Sequence, residues 1–248
     1  MRVIFVFIAV VLSLNAFAQN EDVASKIRSA MAGDVRTEAD VARDGNRKPL
    51  ETLQFFGLTD DMRVLELVPG GGWYTKILAP VLRDEGVLYV AIFTDNVKQN
   101  LLTQPGFDRV KVLEVGVDMP RTGPFGTRDA PPLDFGVSDI DLALTFRNWH
   151  NFTPQGRANL NAAVFKALRK GGHFGVIDHS RRHMEPMTAE NRRRVDVVEI
   201  IKEVLAAGFE FVDYSDLHFR PDDELRYEVG RATVTGNTDR FTLMFRKP

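Results

Sequence analysis

The run Val64-Leu65-Glu66-Leu67-Val68-Pro69-Gly70-Gly71-Gly72-Trp73-Tyr74-Thr75 carries the most easily named chemistry in this 248-residue chain. An apolar stretch with an acid near its end meets three consecutive glycines, and helical spacing begins directly after them. Glycine reaches positive φ and lets a ligand come close to the backbone. A helix N-terminus offers free N–H groups to an anionic group. The pattern predicts a strand-to-helix turn that receives a nucleoside-type cofactor. The alternative is a tight turn without a ligand, and three glycines in a row would weaken a fold that made no use of them. The turn is not the dinucleotide fingerprint, because G-x-G-x-x-G from Gly70 needs glycine where Thr75 stands. It is not a P-loop, because no Gly-Lys-Ser/Thr follows.

Two further groups fall beside apolar runs. Arg147-Asn148-Trp149-His150-Asn151 follows Ile140 to Phe146, and Asp178-His179-Ser180 follows Phe174 to Ile177. If both runs are parallel strands, both groups share the sheet edge of the glycine loop, where ligands of open α/β sheets bind. Trp149 and His150 can equally cap the strand and pack under the next helix. Asp178 can pair with a cation or orient His179. Ser180 lacks the G-x-S-x-G elbow of a hydrolase. His179 and His183 have helical spacing, but Arg181 and Arg182 lie between them and no third ligand is evident, so no metal site is expected. Arg181-Arg182 and Arg192-Arg193-Arg194 form a basic patch, read as a solvated helix face or, more sharply, as a contact for an anionic substrate.

The elements that must position these groups alternate. Strands are expected at Met62–Val68, Val87–Phe93, Val110–Val115, Ile140–Phe146, Phe174–Ile177, Phe209–Tyr214 and Phe241–Phe245. Helices are expected at Leu50–Phe56, Trp73–Leu82, Pro154–Leu168 (stopped by Gly171-Gly172) and Asn191–Ala207. Strands separated by helices indicate βαβ units and a parallel sheet. The last two strands have only a polar, Gly-containing loop between them, which suits an antiparallel pair. Met119–Phe135, rich in Pro and Gly, is long for a connection and reads as a substrate-side loop or an ornament.

Composition bounds the rest. At 44% hydrophobic residues the chain supports one sizeable core, and a net charge of −2 argues against a general nucleic-acid binder. With no cysteine, disulfides, thiolate catalysis and Cys-ligated zinc are excluded. Arg2, the apolar run Val3–Leu12 and Ala16-Phe17-Ala18 follow the order of a secretory signal peptide cut near Ala18. The division expected is a leader over 1–18, an N-terminal helical and charged segment over 19–57, and an α/β domain over 58–248. No later run is long and apolar enough to span a membrane.

Glu66-Leu67-x-x-Gly70-x-Gly72 is similar to motif I of class I S-adenosylmethionine-dependent methyltransferases. More narrowly, Glu66 to Thr75, Thr145 to His150, Ala207-Gly208-Phe209 and Thr238-Asp239-Arg240-Phe241 resemble a bacterial group of exported, predicted methyltransferases, over about Arg43 to Pro248. The resemblance implies a Rossmann-like α/β fold: a mostly parallel seven-stranded sheet with an antiparallel last strand. It implies S-adenosylmethionine as cofactor, contacted by Glu66, Gly70, Gly71, Gly72, Trp73, Tyr74, Asp95 and Asp118. Two positions differ from the family pattern: Val68 replaces the usual first glycine, and Ile92 falls where a ribose-binding acid is usual, which leaves Asp95 to serve. Asp118 would meet the adenine amine or cap a turn. His150 would be the base, Asn148 would orient the acceptor or the cofactor, Asp178 would support the reaction, and Trp149 would face the sulfonium. Arg43, Asp44 and Arg47 would fold over the site. The function implied is methyl transfer to a small-molecule acceptor in the periplasm. The alternative is an exported ligand-binding protein that keeps the scaffold without transfer activity.

Overall fold

A computed structural model describes residues 22–248. The expected signal peptide lies outside the described residues.

Helix α1 covers 22–31. Short helices α2 (Glu38–Val41), α3 (Asp44–Arg47) and α4 (Pro49–Phe55) follow, then β1 (Arg63–Leu67), α5 (Thr75–Leu82), β2 (Val87–Ala91), α6 (Asp95–Asn100) and β3 (Lys111–Leu113). The second half runs β4 (Ile140–Phe146), α7 (Pro154–Ala167), β5 (Leu168–Arg181), β6 (Val195–Asp196), α8 (Val197–Ala206), β7 (Glu210–Ser215) and β8 (Arg240–Arg246). The sheet order is β3-β2-β1-β4-β5-β8-β7, with the two-residue β6 joined to the end of β5. Strands β1 to β5 are parallel along this path, and β8 is antiparallel to both β5 and β7. This is the Rossmann-like arrangement expected, with its antiparallel last strand.

The sheet is covered on both faces, which is why its strands read as continuous apolar runs rather than alternating ones. On one face Leu65, Leu67, Tyr89 and Ala143 pack with Leu160 and Val164 of α7 and with Ile200 and Val204 of α8. On the other, Val64, Leu88 and Leu142 pack with Ile27 of α1, Leu53 of α4 and Ile77 of α5. The chain reverses direction across the sheet between β1 and β4, so their carboxyl ends form the crevice where such folds bind ligands.

Two expected boundaries move. Helix α8 starts at Val197, not at Asn191. Arg194 is buried and held by Asp223 at 2.9 Å, and Asp196 caps the helix by accepting from the Val198 N–H at 2.9 Å, so the preceding residues cannot be helical. Strand β5 is far longer than Phe174–Ile177. Leu168 turns extended (ψ 144°) to end α7 and pairs with Ile140, so Gly171 and Gly172 lie within the strand instead of stopping the helix. The other end of α7 has a recognisable cap, with Thr153 accepting from the Gly156 N–H at 3.0 Å and Pro154 opening the helix.

Candidate active site

Past β1 the backbone turns through left-handed residues, with φ of 55° at Val68, 58° at Gly70 and 76° at Gly72. A cavity of about 330 Å³ opens above the turn, walled by Glu66, Gly70, Gly71, Trp73, Tyr74 and Asn148 among others. A Cβ built on Gly70 or Gly71 would meet nothing within 4 Å, so these two leave room for a ligand. Gly72 differs. It is absent from the cavity wall, and a Cβ there would lie 2.6 Å from Leu101 Cδ2. The left-handed φ and the contact with Leu101, just after α6, both favour glycine at 72.

Glu66 is buried, accepts a hydrogen bond from Thr75 Oγ1 at 2.6 Å, and has its carboxyl pushed up to about 7 by burial. Trp73 donates its indole N–H to the Asp40 carbonyl at 3.1 Å, while the Arg47 guanidinium sits 4.2 Å from its ring centroid. Tyr74 stacks on Phe146 with centroids 3.6 Å apart, and burial pushes its phenol up to about 12. The charged segment before α4 is thus part of the site: α2 and α3 bring Asp40, Arg43 and Arg47 to the cavity wall. Asp44 stays behind them, paired with the buried Arg36.

At the tip of β4, Arg147 holds a left-handed φ of 62°. Asn148 donates its amide hydrogens to the carbonyls of Val68 and Phe146, both at 3.1 Å, and so ties the β4 exit to the glycine turn. Trp149 and His150, neighbours in a single 3-10 turn, go opposite ways. Trp149 is fully buried and donates to Asn161 Oδ1 at 3.0 Å, so it packs in the core instead of facing a cofactor. His150 lines a second cavity of about 540 Å³. Its Nδ1 is 2.5 Å from Asp178 Oδ1, and its backbone N–H donates to Asp178 Oδ2 at 2.9 Å. The fully buried Asp178 also accepts from the His179 backbone N–H, so its partner ring is that of His150 and not His179. A carboxylate only accepts, so this bond places a proton on Nδ1. His179 is buried beside His150 and Arg147, with burial the larger cause, and is held well below the usual histidine range.

The two cavities share a wall of Arg43, Arg47 and Arg147. The larger one also takes Arg240 from β8 and Arg193. Burial, then the neighbouring arginines, lower Arg47 to about 9; for Arg240 the same causes give about 10. Sequence reading missed Arg147 and Arg240 as site residues. The signal was present in the Arg147-to-Asn151 and Thr238-to-Phe241 motifs, but only the fold brings the two together.

The remaining expected residues lie elsewhere. Asp95 is exposed in the first turn of α6, 3.6 Å from Lys98, and Asp118 is exposed beyond β3; neither lines either cavity. The tip of β2 offers Ile92 and Phe93, with Arg128 of the Met119–Phe135 segment 4.4 Å over the Phe93 ring. Arg128 also takes the carbonyls of Met119 and Asn151, which makes this segment a strap laid over the strand tips. The expected basic helix face does not form. Arg181 pairs with Glu199, Arg193 with Glu228 and Arg194 with Asp223. His179 belongs to β5 and His183 bonds Asp196, so they share no helical face.

No family model and no curated protein sequence matches this chain. Solved structures do resemble it. A SAM dependent methyltransferase from Aquifex aeolicus superposes with a TM-score of 0.57 at 16% identity, covering 91% of this chain and 98% of that one. The [4+2]-cyclase SpnF gives 0.56 at 17%, covering 82% and 80%. The glycopeptide N-methyltransferase MtfA gives 0.52 at 15%, covering 83% and 97%. At such identities the likeness establishes the fold, which is the Rossmann-like fold of S-adenosylmethionine-dependent methyltransferases.

Proposed function

We propose that this chain is an S-adenosylmethionine-dependent methyltransferase acting on a small-molecule acceptor. One observation carries the reading: the glycine-turn cavity with its buried acid adjoins a second cavity that holds an Asp-oriented histidine. The first would hold the cofactor and the second the acceptor. The residues fit the cationic, amino-acid end of S-adenosylmethionine. Gly70 and Gly71 leave an open cradle, Glu66 is a buried carboxyl with no cationic partner among the described residues, and Trp73 and Tyr74 wall the side. The ribose end lacks an acid at the tip of β2. MtfA, on the same fold, has been solved in complex with sinefungin.

Bound there, the cofactor supplies an electrophilic methyl group. The chain's own contribution is to align the acceptor and to take its proton. His150 Nε2 is the proton acceptor, and the Asp178 carboxylate stabilises the imidazolium through Nδ1–H. Asn148 holds the β4 tip against the glycine turn and so fixes the distance between the cavities. No helix of the described residues is long and apolar enough to cross a membrane. With the leader read over residues 1–18, the reading places the protein in the periplasm.

The bare tip of β2 favours a second reading, a ligand-binding protein on this scaffold without transfer activity. SpnF illustrates that the fold is not tied to one reaction. Calorimetric titration of the mature protein with S-adenosylmethionine and S-adenosylhomocysteine tests the first reading. Saturable binding of both is expected, and no heat at millimolar ligand removes it. Binding without turnover against any acceptor pool supports the second.

A further inference from the structure

The larger cavity has an electrostatic character that the proton-transfer dyad does not explain. Among the described residues no aspartate or glutamate lines it, whereas Arg43, Arg47, Arg147, Arg193 and Arg240 do. Arg193 is spent on Glu228. The side chains of Arg43, Arg47 and Arg147 make no hydrogen bond or ion pair among the described residues, and the Arg240 guanidinium meets only the Asn46 carbonyl, at 2.6 Å. Arg47 and Arg240 are each 6% exposed, and the Nε atoms of both are buried without a partner. Buried cations normally keep a partner, because desolvation is costly and like charges repel. Three of these guanidinium groups, from the α3 N-cap, the β4 tip and β8, have no anionic partner among the described residues, the fourth, Arg47, lies over the Trp73 ring, and all four line one cavity. That arrangement makes sense when an anion of more than one charge completes it. A monocarboxylate neutralises one of the four. A phosphate monoester brings up to two charges and three acceptor oxygens, which suits several forked donors.

We infer that Arg43, Arg47, Arg147 and Arg240 form an oxyanion site for a phosphoryl group, and that this group belongs to the methyl acceptor. The site rests on the geometry of the cavity; its assignment to the acceptor rests on the methyltransferase reading. The phosphoryl group would anchor the acceptor beside His150, on the far side of the shared arginine wall from the glycine turn. The cofactor's own carboxylate is the rival explanation, since Arg43, Arg47 and Arg147 also reach the smaller cavity. Arg240 does not, and it separates the two.

The test is thermal denaturation of the mature protein with inorganic phosphate, glycerol phosphate and acetate, at constant ionic strength. Phosphate and glycerol phosphate should raise the midpoint saturably by several degrees, and acetate should not. Equal shifts from all three, or none, overturn the proposal. Arg240→Gln should weaken phosphate binding at least tenfold without lowering the midpoint of the ligand-free protein. Arg43→Gln, an exposed position that cannot threaten the fold, should weaken it several-fold. Unchanged affinity in both variants overturns the site. Phosphate should keep its effect at saturating S-adenosylhomocysteine, and displacement by that ligand would hand the arginines to the cofactor. If S-adenosylhomocysteine does not bind while phosphate does, the oxyanion site stands and only its assignment to a methyl acceptor falls. Sedimentation with phosphatidic acid vesicles, but not phosphatidylcholine vesicles, would place the phosphoryl group on a lipid; sedimentation with neither would place it on a soluble ester.

Discussion

Thr75 donates its hydroxyl hydrogen to Glu66 across 2.6 Å, and this bond is the main relief given to a carboxyl that burial pushes from 4.5 up to about 7. The folded protein therefore keeps a proton on Glu66 at pH values where the unfolded chain has lost it. Stability from this group is full below about pH 4.5, falls as pH rises, and is lost above about 7. The penalty at alkaline pH is on the order of 3 kcal/mol. Glu66→Gln should flatten the pH dependence across that interval and be the more stable form at pH 8, as read by urea denaturation. A cation bound beside Glu66 would favour its charged form. Cofactor binding at pH 6 should thus release a proton in the wild type and none in Glu66→Gln, measured by calorimetry in buffers of different ionisation enthalpy.

Neighbouring glycines should respond differently. Gly71→Val places its side chain in the cavity, where no atom is within 4 Å of the added Cβ, and should abolish S-adenosylhomocysteine binding while leaving the melting midpoint within a degree or two. Gly72→Ala drives a methyl against Leu101 from a left-handed φ of 76° and should cost stability by about 1–3 kcal/mol. The reverse result, a stable but non-binding Gly72→Ala beside a binding Gly71→Val, would move the ligand to another wall.

His150→Ala should lower kcat by about 10²–10⁴-fold, the usual share of a general base, with S-adenosylhomocysteine affinity kept. Asp178→Asn removes the carboxylate that holds His150 Nδ1, so kcat should fall with S-adenosylhomocysteine affinity kept. An unchanged kcat in Asp178→Asn would leave Asp178 a purely structural role.

Arg194 and Asp223 are both fully buried at their side chains and joined through two 2.9 Å bonds. Removing one partner strands the other charge. Asp223→Ala should destabilise the protein by about 3–5 kcal/mol, seen as a fall in the urea midpoint. Asp222→Ala, one residue away and exposed, should leave the midpoint in place.

Val68 and Ile92 follow adjacent parallel strands, and both hold left-handed φ, at 55° and 67°. Branched side chains are rarely found there. Val68→Gly should stabilise the protein by about 1 kcal/mol once the greater chain entropy of unfolded glycine is counted. A loss of stability would show that the Val68 side chain contributes more to packing than its backbone costs.

The sequence made the scaffold legible wherever a local pattern was sufficient. The apolar run ending in Glu66-Leu67, the three glycines and the Thr153-Pro154 helix start all signal through neighbours within a few residues. It was silent wherever a distant partner decides. Helix α8 starts late because Arg194 meets Asp223, 29 residues on. Trp149 and His150 are adjacent, and nothing local says that one enters the core while the other faces the cavity. The arginine cluster was least legible of all. Arg43 and Arg47 were expected over the site, but the cluster's other members come from segments near 147 and 240, and nothing local says that all four meet.

Strand β8 comes after β5 and β7 in the chain yet lies between them. Its pairing with β7 closes across the long loop of residues 216–239, and its pairing with β5 joins segments still further apart in the chain. Non-local closure of this kind is slow. Until it happens β5 presents an open, apolar strand edge of the sort that invites aggregation. The same pairing delivers Arg240, so the chain acquires its full ring of guanidinium groups only as the sheet is completed. Refolding followed by phosphate binding should therefore lag behind refolding followed by burial of Trp149 wherever β8 docks last.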